Sequence, residues 1–420
     1  MMALALPAVI LGLLVLRQNV ILTVAAAVAF VHAFLARGSS VEYLVQDLWF
    51  TVDREVLLSI PMFMFAGVLM SRGSIVGRLV RVMVALTSWI PGGLGVATVL
   101  AMAAFSAISG SSVVTMLAIG TLMYPALLAN GYGKNYSLGV LCAGGTLGII
   151  IPPSILMVLY GITTNVSITD LFKAGWGPGL LLTGALCLYT VVIGWRRETT
   201  PFDWRELLTA TRTGVTAILM PVILLGGIYT GRFTVTESAA LSVVYALLVE
   251  LAIHREVRLG DIRDIAVETV KLLGNMLPLL AVAGSLNVIL DYEGVPKALV
   301  DMAQTVVHDR WAMILAINVL LLIAGAMMDE GSAIVIFAPL IAPLGAAYGF
   351  DPVHFAIIVI VNLQVGYVAP PVAINLIVAT AAFKESFGLI CRSVMPFVAI
   401  MLAVLAVTVL VPGLSLVFVK

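Results

Sequence analysis

The sequence predicts an all-α, polytopic membrane protein of about 10 to 12 transmembrane helices plus two re-entrant hairpins, in two repeat-related halves. Three observations carry that expectation. Apolar residues make up 62% of the 420-residue chain and charged residues only 10%, against about 25% charged in an ordinary soluble domain. The charges leave long gaps, with none in Val82–Gly133, Asn135–Thr169, Ala174–Trp195, Trp311–Met328, Gly331–Phe350, Pro352–Phe383 or Ser393–Val419. Two of those gaps are interrupted by Pro-Pro pairs, Pro152-Pro153 and Pro370-Pro371.

A chain this poor in charge cannot coat a soluble surface, so a cytosolic globular enzyme and a disordered protein are excluded. The 22 basic and 22 acidic residues cancel, leaving no basic surplus for nucleic acid. Cys142, Cys187 and Cys391 sit in apolar runs without partner spacing, which suggests neither disulfides nor a metal site. One span takes about 20 apolar residues, so the gaps supply most of the helices. Ala3–Leu16, Val20–Leu35, Gly214–Tyr229, Val235–Ile253 and Leu272–Leu290 supply the rest. The runs are continuous and do not alternate with period two, which excludes a β-barrel. The first apolar stretch lacks a basic start and is not read as a cleavable signal.

Orientation follows from the basic residues. Arg196, Arg197, Arg205 and Arg212 cluster in one loop and Arg255, Arg258, Arg263 and Lys271 in another. Two spans joined by Thr230-Gly231-Arg232 separate them, so both clusters lie on one side, the cytoplasmic one. Glu198–Leu208 reads as a linker near the middle of the chain. Val257–Lys271 reads as an interfacial helix or an ordinary solvated loop.

A single offset carries Pro125 onto Pro343, Gly131 onto Gly349, Gly148 onto Gly366 and Pro152-Pro153 onto Pro370-Pro371. Repeated apolar segments broken by Gly and Pro in both halves point to a secondary transporter. Each proline pair removes backbone donors inside the bilayer, where broken backbone survives only when it lines a cavity or is buried in protein. The carbonyls so freed suit Na⁺; a simple kink relieved by neighbouring helices is the alternative. Upstream of each pair lies a second interruption, Ser109-Gly110-Ser111-Ser112 and Met328-Asp329-Glu330-Gly331-Ser332. Each reads as the tip of a re-entrant hairpin, or as a surface turn between two complete spans. Tip hydroxyls and amides would suit a carboxylate, and Asp329, an acid at membrane depth, a hard cation.

Together these residues resemble a known family. Ile60-Pro61-Met62-Phe63, Pro91-Gly92-Gly93-Leu94, Ile108-Ser109-Gly110-Ser111, Ile150-Ile151-Pro152-Pro153-Ser154, Met328-Asp329, Asp351-Pro352-Val353-His354-Phe355 and Pro370-Pro371-Val372-Ala373-Ile374-Asn375-Leu376 are similar to the large membrane (DctM-type) subunit of tripartite ATP-independent periplasmic (TRAP) transporters. The resemblance implies an elevator-type transporter of a bacterial or archaeal cytoplasmic (inner) membrane. It implies a small membrane (Q-type) subunit and a periplasmic substrate-binding protein as partners, with Na⁺ as coupling ion, no other cofactor and no nucleic acid. Residues 1–90 would hold scaffold and arm helices, 91–170 a first transport repeat, and 171–310 scaffold helices with the linker near 196–212. Residues 311–385 would hold the second transport repeat and 386–420 a last transmembrane helix. Substrate contacts would come from Ser109, Gly110, Ser111, Ser112, Ser154 and Asn375. Na⁺ would be held by Gly110, Ser111, Pro152, Asp329, Gly331, Ser332, Asn362 and Pro370.

Three stretches depart from the family's pattern. Glu330-Gly331 follows Met-Asp where a neutral pair is usual, and the extra carboxylate would alter ion binding or favour a substrate with a cationic group. Asp291-Tyr292-Glu293 is more acidic than expected, unless it is a span end facing water. Leu16-Arg17-Gln18-Asn19-Val20 replaces the usual Gly-Val-Pro. The four histidines have no metal-ligand spacing, and no Ser-His-Asp set or phosphate-binding loop is visible. The expected function is therefore not enzymatic: it is Na⁺-coupled import of a small organic acid, a C4-dicarboxylate or related carboxylate. The alternative is a stand-alone Na⁺/dicarboxylate symporter needing no binding protein.

Overall fold

A computed structural model describes residues 20–35, 41–197, 199–274 and 276–419. Every element among them is helical and none is a strand, as a chain without water to satisfy its backbone requires. The helices are α1 (Val20–Phe30), α2 (Val41–Val52), α3 (Ser59–Arg72), α4 (Ile75–Thr87), α5 (Gly93–Ser109), α6 (Ser112–Ala129) and α7 (Lys134–Gly145). They continue as α8 (Leu147–Ile150), α9 (Ile155–Thr164), α10 (Ile168–Ile193), α11 (Trp204–Tyr229), α12 (Val235–Leu247), α13 (Asp261–Leu273) and α14 (Met276–Tyr292). The last seven are α15 (Val295–Val306), α16 (Arg310–Met327), α17 (Glu330–Ala347), α18 (Pro352–Gly366), α19 (Ile374–Phe383), α20 (Phe387–Leu410) and α21 (Gly413–Leu416).

Nine helical stretches among the described residues are long and apolar enough to cross a bilayer. They become ten if Lys134–Ile150 and Ile155–Thr164, bent by 41° at their break, are one span. The apolar stretch Ala3–Leu16 and the departure at Leu16–Asn19 lie outside the described residues. The interfacial helix expected from Val257 begins at Asp261. Asp291, Tyr292 and Glu293 are exposed at the end of α14, so the acidic stretch is a span end and not part of a site.

Helices that are apolar all round lie at the centre, as they must. In α18 every residue from His354 to Gly366 is buried, and in α7 every residue from Ser137 to Gly145. Lipid-side helices instead expose large apolar side chains, such as Leu188, Val192 and Val222. Around the central pair the two broken regions cross over. The α9 helix packs on α17 and α19 packs on α6, so each post-break helix leans on the hairpin of the other half.

The basic side of the protein is tied together by one buried carboxylate and three exposed ion pairs. Arg72–Glu268, Arg78–Glu256 and Arg81–Glu206 link α3 and α4 to α11, α13 and the loop between α12 and α13. Exposed pairs of this kind contribute little each. Glu250, fully buried, accepts hydrogen bonds from the backbone N–H groups of Ser74 and Ile75 at 3.3 and 3.2 Å. It thereby satisfies donors that the start of α4 cannot pair within its own helix. Glu250→Ala should lower stability by about 1–3 kcal/mol, read as a lower thermal midpoint of the detergent-solubilised protein. Glu250→Gln keeps one accepting oxygen and should recover part of the loss. An alanine variant that melts like the wild type would show that the cap contributes nothing.

Candidate functional site

The first tip is built from α5, α6 and the residues between them. The α5 helix stops at Ser109 because Gly110 takes a left-handed conformation (φ 60°), which glycine adopts without steric cost. The Ser109 hydroxyl lies 2.7 Å from that of Thr115, and α6 restarts at Ser112. Opposite this tip, α8 ends at Ile150 and α9 begins at Ile155, with the intervening Pro152-Pro153 bond cis. Broken backbone is satisfied across the gap: the N–H of Ile155 donates to the Gly110 carbonyl at 3.2 Å, and the Ser154 hydroxyl donates to the Ile149 carbonyl at 2.5 Å. Approach is close enough that a Cβ on Gly110 would stand 2.7 Å from the Pro153 carbonyl oxygen.

The second tip repeats the plan with different chemistry. The α16 helix ends at Met327 and Asp329 caps α17, its carboxylate accepting from the N–H of Ser332 at 2.9 Å and from the Ser332 hydroxyl. The facing break runs from Tyr367 to Ala373 and also contains a cis Pro-Pro bond. Here the N–H of Ala373 donates to the Ala326 carbonyl at 3.2 Å, and Gly325 and Gly366 bring the backbones of α16 and α18 into direct contact. The two breaks differ in access: Ile151–Ser154 is buried, whereas Pro371 and Val372 are exposed.

A set of buried amides lies on the helices either side of the second break; the sequence reading named two of them, Asn362 and Asn375, and missed Gln364 with its partner Thr146. The Gln364 amide donates to the Thr146 hydroxyl at 3.0 Å, and both residues are fully buried. They occupy equivalent positions under the offset that aligns the proline pairs, which is the signal that could have found them. Asn375 donates to the Cys142 carbonyl at 3.3 Å. Asn362 donates to the Asn318 backbone carbonyl at 3.0 Å and to its side-chain oxygen at 2.6 Å. In each case the partner accepts: Thr146 gives its own proton to Ala143, and Asn318 gives an amide proton to Ile314. The NH₂ end of each amide is therefore fixed, and the free ends are the oxygens of Gln364, Asn375 and Asn362, all buried and without a hydrogen-bond partner among the described residues. An unpaired buried oxygen is costly, so these are places for a cation or a donor.

The expected site residues can now be placed. Ser109, Gly110, Ser111, Ser112 and Ser154 come together at the first tip and its break. Asp329, Gly331 and Ser332 come together at the second. Asn375 reaches across to α7. Asn362 is held beside Asn318 on α16, with its own oxygen free. Pro152 and Pro370 lie inside the breaks, but the carbonyl that meets the first tip is that of Pro153. Two surface cavities, of about 510 Å³ beside Tyr132 and Arg197 and about 710 Å³ among Arg72, Arg78 and Arg81, include no tip residue in their linings. A string of side chains joins His32, Ser285 and Asp47, with the Ser285 hydroxyl donating to Asp47 at 3.1 Å and lying 3.0 Å from the His32 ring. Its serine proton goes to the carboxylate rather than to the histidine, which is not the arrangement of an activated nucleophile.

Comparison with known proteins agrees with this architecture. The family model described as "Tripartite ATP-independent periplasmic transporter, DctM component" matches residues 7–414. The chain is similar to the isethionate TRAP transporter permease protein DctMQ of Oleidesulfovibrio alaskensis (37% identity), covering 93% of this chain and 62% of that protein's length. It is similar to the C4-dicarboxylate TRAP transporter large permease protein DctM of Pseudomonas aeruginosa (36%), covering 90% and 89%. The ectoine TRAP transporter large permease protein TeaC of Halomonas elongata is 32% identical, with 97% of each chain covered. Among solved structures, the Alcanivorax borkumensis YdaH transporter shares the fold, with a TM-score of 0.62 over 94% of this chain and 96% of that one at 14% identity. With the family model matched along nearly its whole length, the chain belongs to the DctM family and is the large permease subunit of a TRAP transporter, a multi-pass component of the cytoplasmic membrane.

Proposed function

We propose that this subunit imports a small organic acid in symport with Na⁺, working with a small membrane subunit and taking its solute from a periplasmic binding protein. The observation that carries the reading is a set of three buried amide oxygens, of Asn362, Gln364 and Asn375, that have no hydrogen-bond partner among the described residues and lie on the two helices flanking the second break. Oxygen ligands and a nearby carboxylate, Asp329, are what a hard cation requires. The hydroxyls of Ser109, Ser111 and Ser112 and the amides at the first tip would take the solute's carboxylate. Ion binding would order the tips and so complete the solute site, a coupling that must be reciprocal. Alternating access would come from an elevator movement of the two hairpins and broken helices against α3, α4, α11 and α12. The relatives' solutes (isethionate, C4-dicarboxylates, ectoine) are all small and all carry an acidic group, which supports the class without fixing the member.

The test is uptake into proteoliposomes under an inward Na⁺ gradient, with the small subunit present and with or without the binding protein, across a panel of organic acids. Uptake should require both Na⁺ and the binding protein. Na⁺-driven uptake without a binding protein would instead establish the stand-alone symporter. Uptake that ignored Na⁺ would refute the ion assignment.

A further inference from the structure

Neither tip region contains a basic residue. Lysine and arginine are absent from Val82 to Gly133, from Asn135 to Phe172 and from Trp311 to Phe383. Those stretches hold both hairpins, both breaks and α18. Four carboxylates lie in them, and two sit at helix starts: Asp170 in the first turn of α10, and Asp351 capping the far end of α18. The other two, Asp329 and Glu330, form the second tip. Asp329 is occupied by its cap with Ser332. Glu330 is not: its Oε2 is shut from solvent and has no hydrogen-bond partner among the described residues. Both carboxylates lie within electrostatic reach of the buried Tyr367 in the facing break.

A carboxylate oxygen held out of water needs a positive partner or a donor, and among the described residues none reaches Glu330 Oε2. The free groups on the helices either side of the facing break, the oxygens of Gln364 and Asn375, are acceptors too. A dicarboxylate would bring two more carboxylates to a tip that already holds two and has no basic residue in its own segments. An acid that carries its own cationic nitrogen would add no net charge and would supply the missing partner.

Building on the transport reading above, we propose that Glu330 makes this permease selective for zwitterionic solutes, seating a cationic nitrogen against its carboxylate. Its role is separate from that of Asp329, which serves the coupling ion.

The experiment follows the thermal midpoint of the purified complex of large and small subunits at saturating Na⁺. Glycine betaine, L-proline and ectoine serve as zwitterionic probes and succinate as the dianionic one. Zwitterions should raise the midpoint of the wild type and succinate should not. In Glu330→Gln the half-saturating zwitterion concentration should rise on the order of 30-fold or more, while Glu330→Asp should keep part of the response. Na⁺ is titrated alone on the same samples, and the midpoint without solute reports whether each variant folds. A wild type that responds to succinate but to no zwitterion overturns the proposal. So does a Glu330→Gln protein with unchanged zwitterion affinity, or one that loses its Na⁺ response while keeping its preference among solutes, because Glu330 would then be an ion ligand. A wild type blind to Na⁺ but selective for zwitterions through Glu330 would refute the Na⁺ reading and leave this one standing.

Discussion

Gly110→Ala is expected to reduce uptake by at least about tenfold without preventing membrane insertion, which takes its cue from apolar spans that the substitution leaves untouched. Two costs coincide at this residue. The left-handed backbone at φ 60° penalises any Cβ by roughly 1–2 kcal/mol. The added methyl would also meet the Pro153 carbonyl oxygen at 2.7 Å, and that atom belongs to backbone and cannot rotate away. Relief requires the tip to move from the break, which would lengthen the bond from the Ile155 N–H to the Gly110 carbonyl and displace the hydroxyls of Ser109 and Ser111. Displacements of about 1 Å at a binding constellation are enough to cost two orders of magnitude. The control is Gly388→Ala, where a Cβ meets nothing within 4 Å and should be neutral or mildly stabilising in its helix. Initial uptake rates, normalised to the protein found in the membrane, decide the matter. Wild-type uptake by Gly110→Ala would show that the contact between tip and break is not part of the working site.

The positions of the tips and breaks were legible because they rest on covalent and steric rules that tertiary packing cannot override. Proline pairs end helices wherever they fall, and a Gly flanked by serines in a charge-free run leaves few other places for a turn. So Ser109–Ser112 and Pro152–Ser154 were found as points in sequence before they were found as neighbours in space. The pair Thr146 and Gln364 was not legible for the opposite reason. Gln364 lies inside an ordinary apolar helix and Thr146 at the joint between α7 and α8, and only the meeting of that joint with α18 gives them each other. Asn362 was assigned to the ion site from the resemblance, but which of its atoms is free depends on Asn318 on another helix. Glu250 was silent in the sequence as well. A lone acid near the end of α12 reads as a span terminus until the unpaired start of α4 is seen against it. Paired prolines and a serine-flanked glycine thus report a break from sequence alone, although single prolines such as Pro125 and Pro343 lie inside helices, whereas a side chain's chemistry is set by whatever it is packed against.

That distinction makes Asp329→Asn the sharpest test of the ion assignment, because it removes the charge and keeps the geometry. Asparagine caps helices about as well as aspartate, and its side-chain oxygen can still accept from the N–H of Ser332, now at 2.9 Å from the carboxylate. The start of α17, the position of Gly331 and the contact between Ala326 and Ala373 should all persist, so the folded complex should melt close to the wild type. What is lost is a formal charge in a stretch, Trp311–Phe383, that holds no lysine or arginine to pair with it. If Na⁺ is its partner, removing that charge should weaken apparent Na⁺ affinity by about 2 kcal/mol or more, near 30-fold. Uptake should recover at high external Na⁺ where insertion and folding are normal. The solute preference set by Glu330 should be unchanged at saturating Na⁺, just as Glu330→Gln should change the preference and spare the Na⁺ response. The two substitutions sit one residue apart and remove the same charge, so a general effect of charge loss would make them behave alike. Opposite effects on ion and solute would assign each carboxylate its own partner, whereas an Asp329→Asn protein with an unaltered Na⁺ response would remove Asp329 from the ion site.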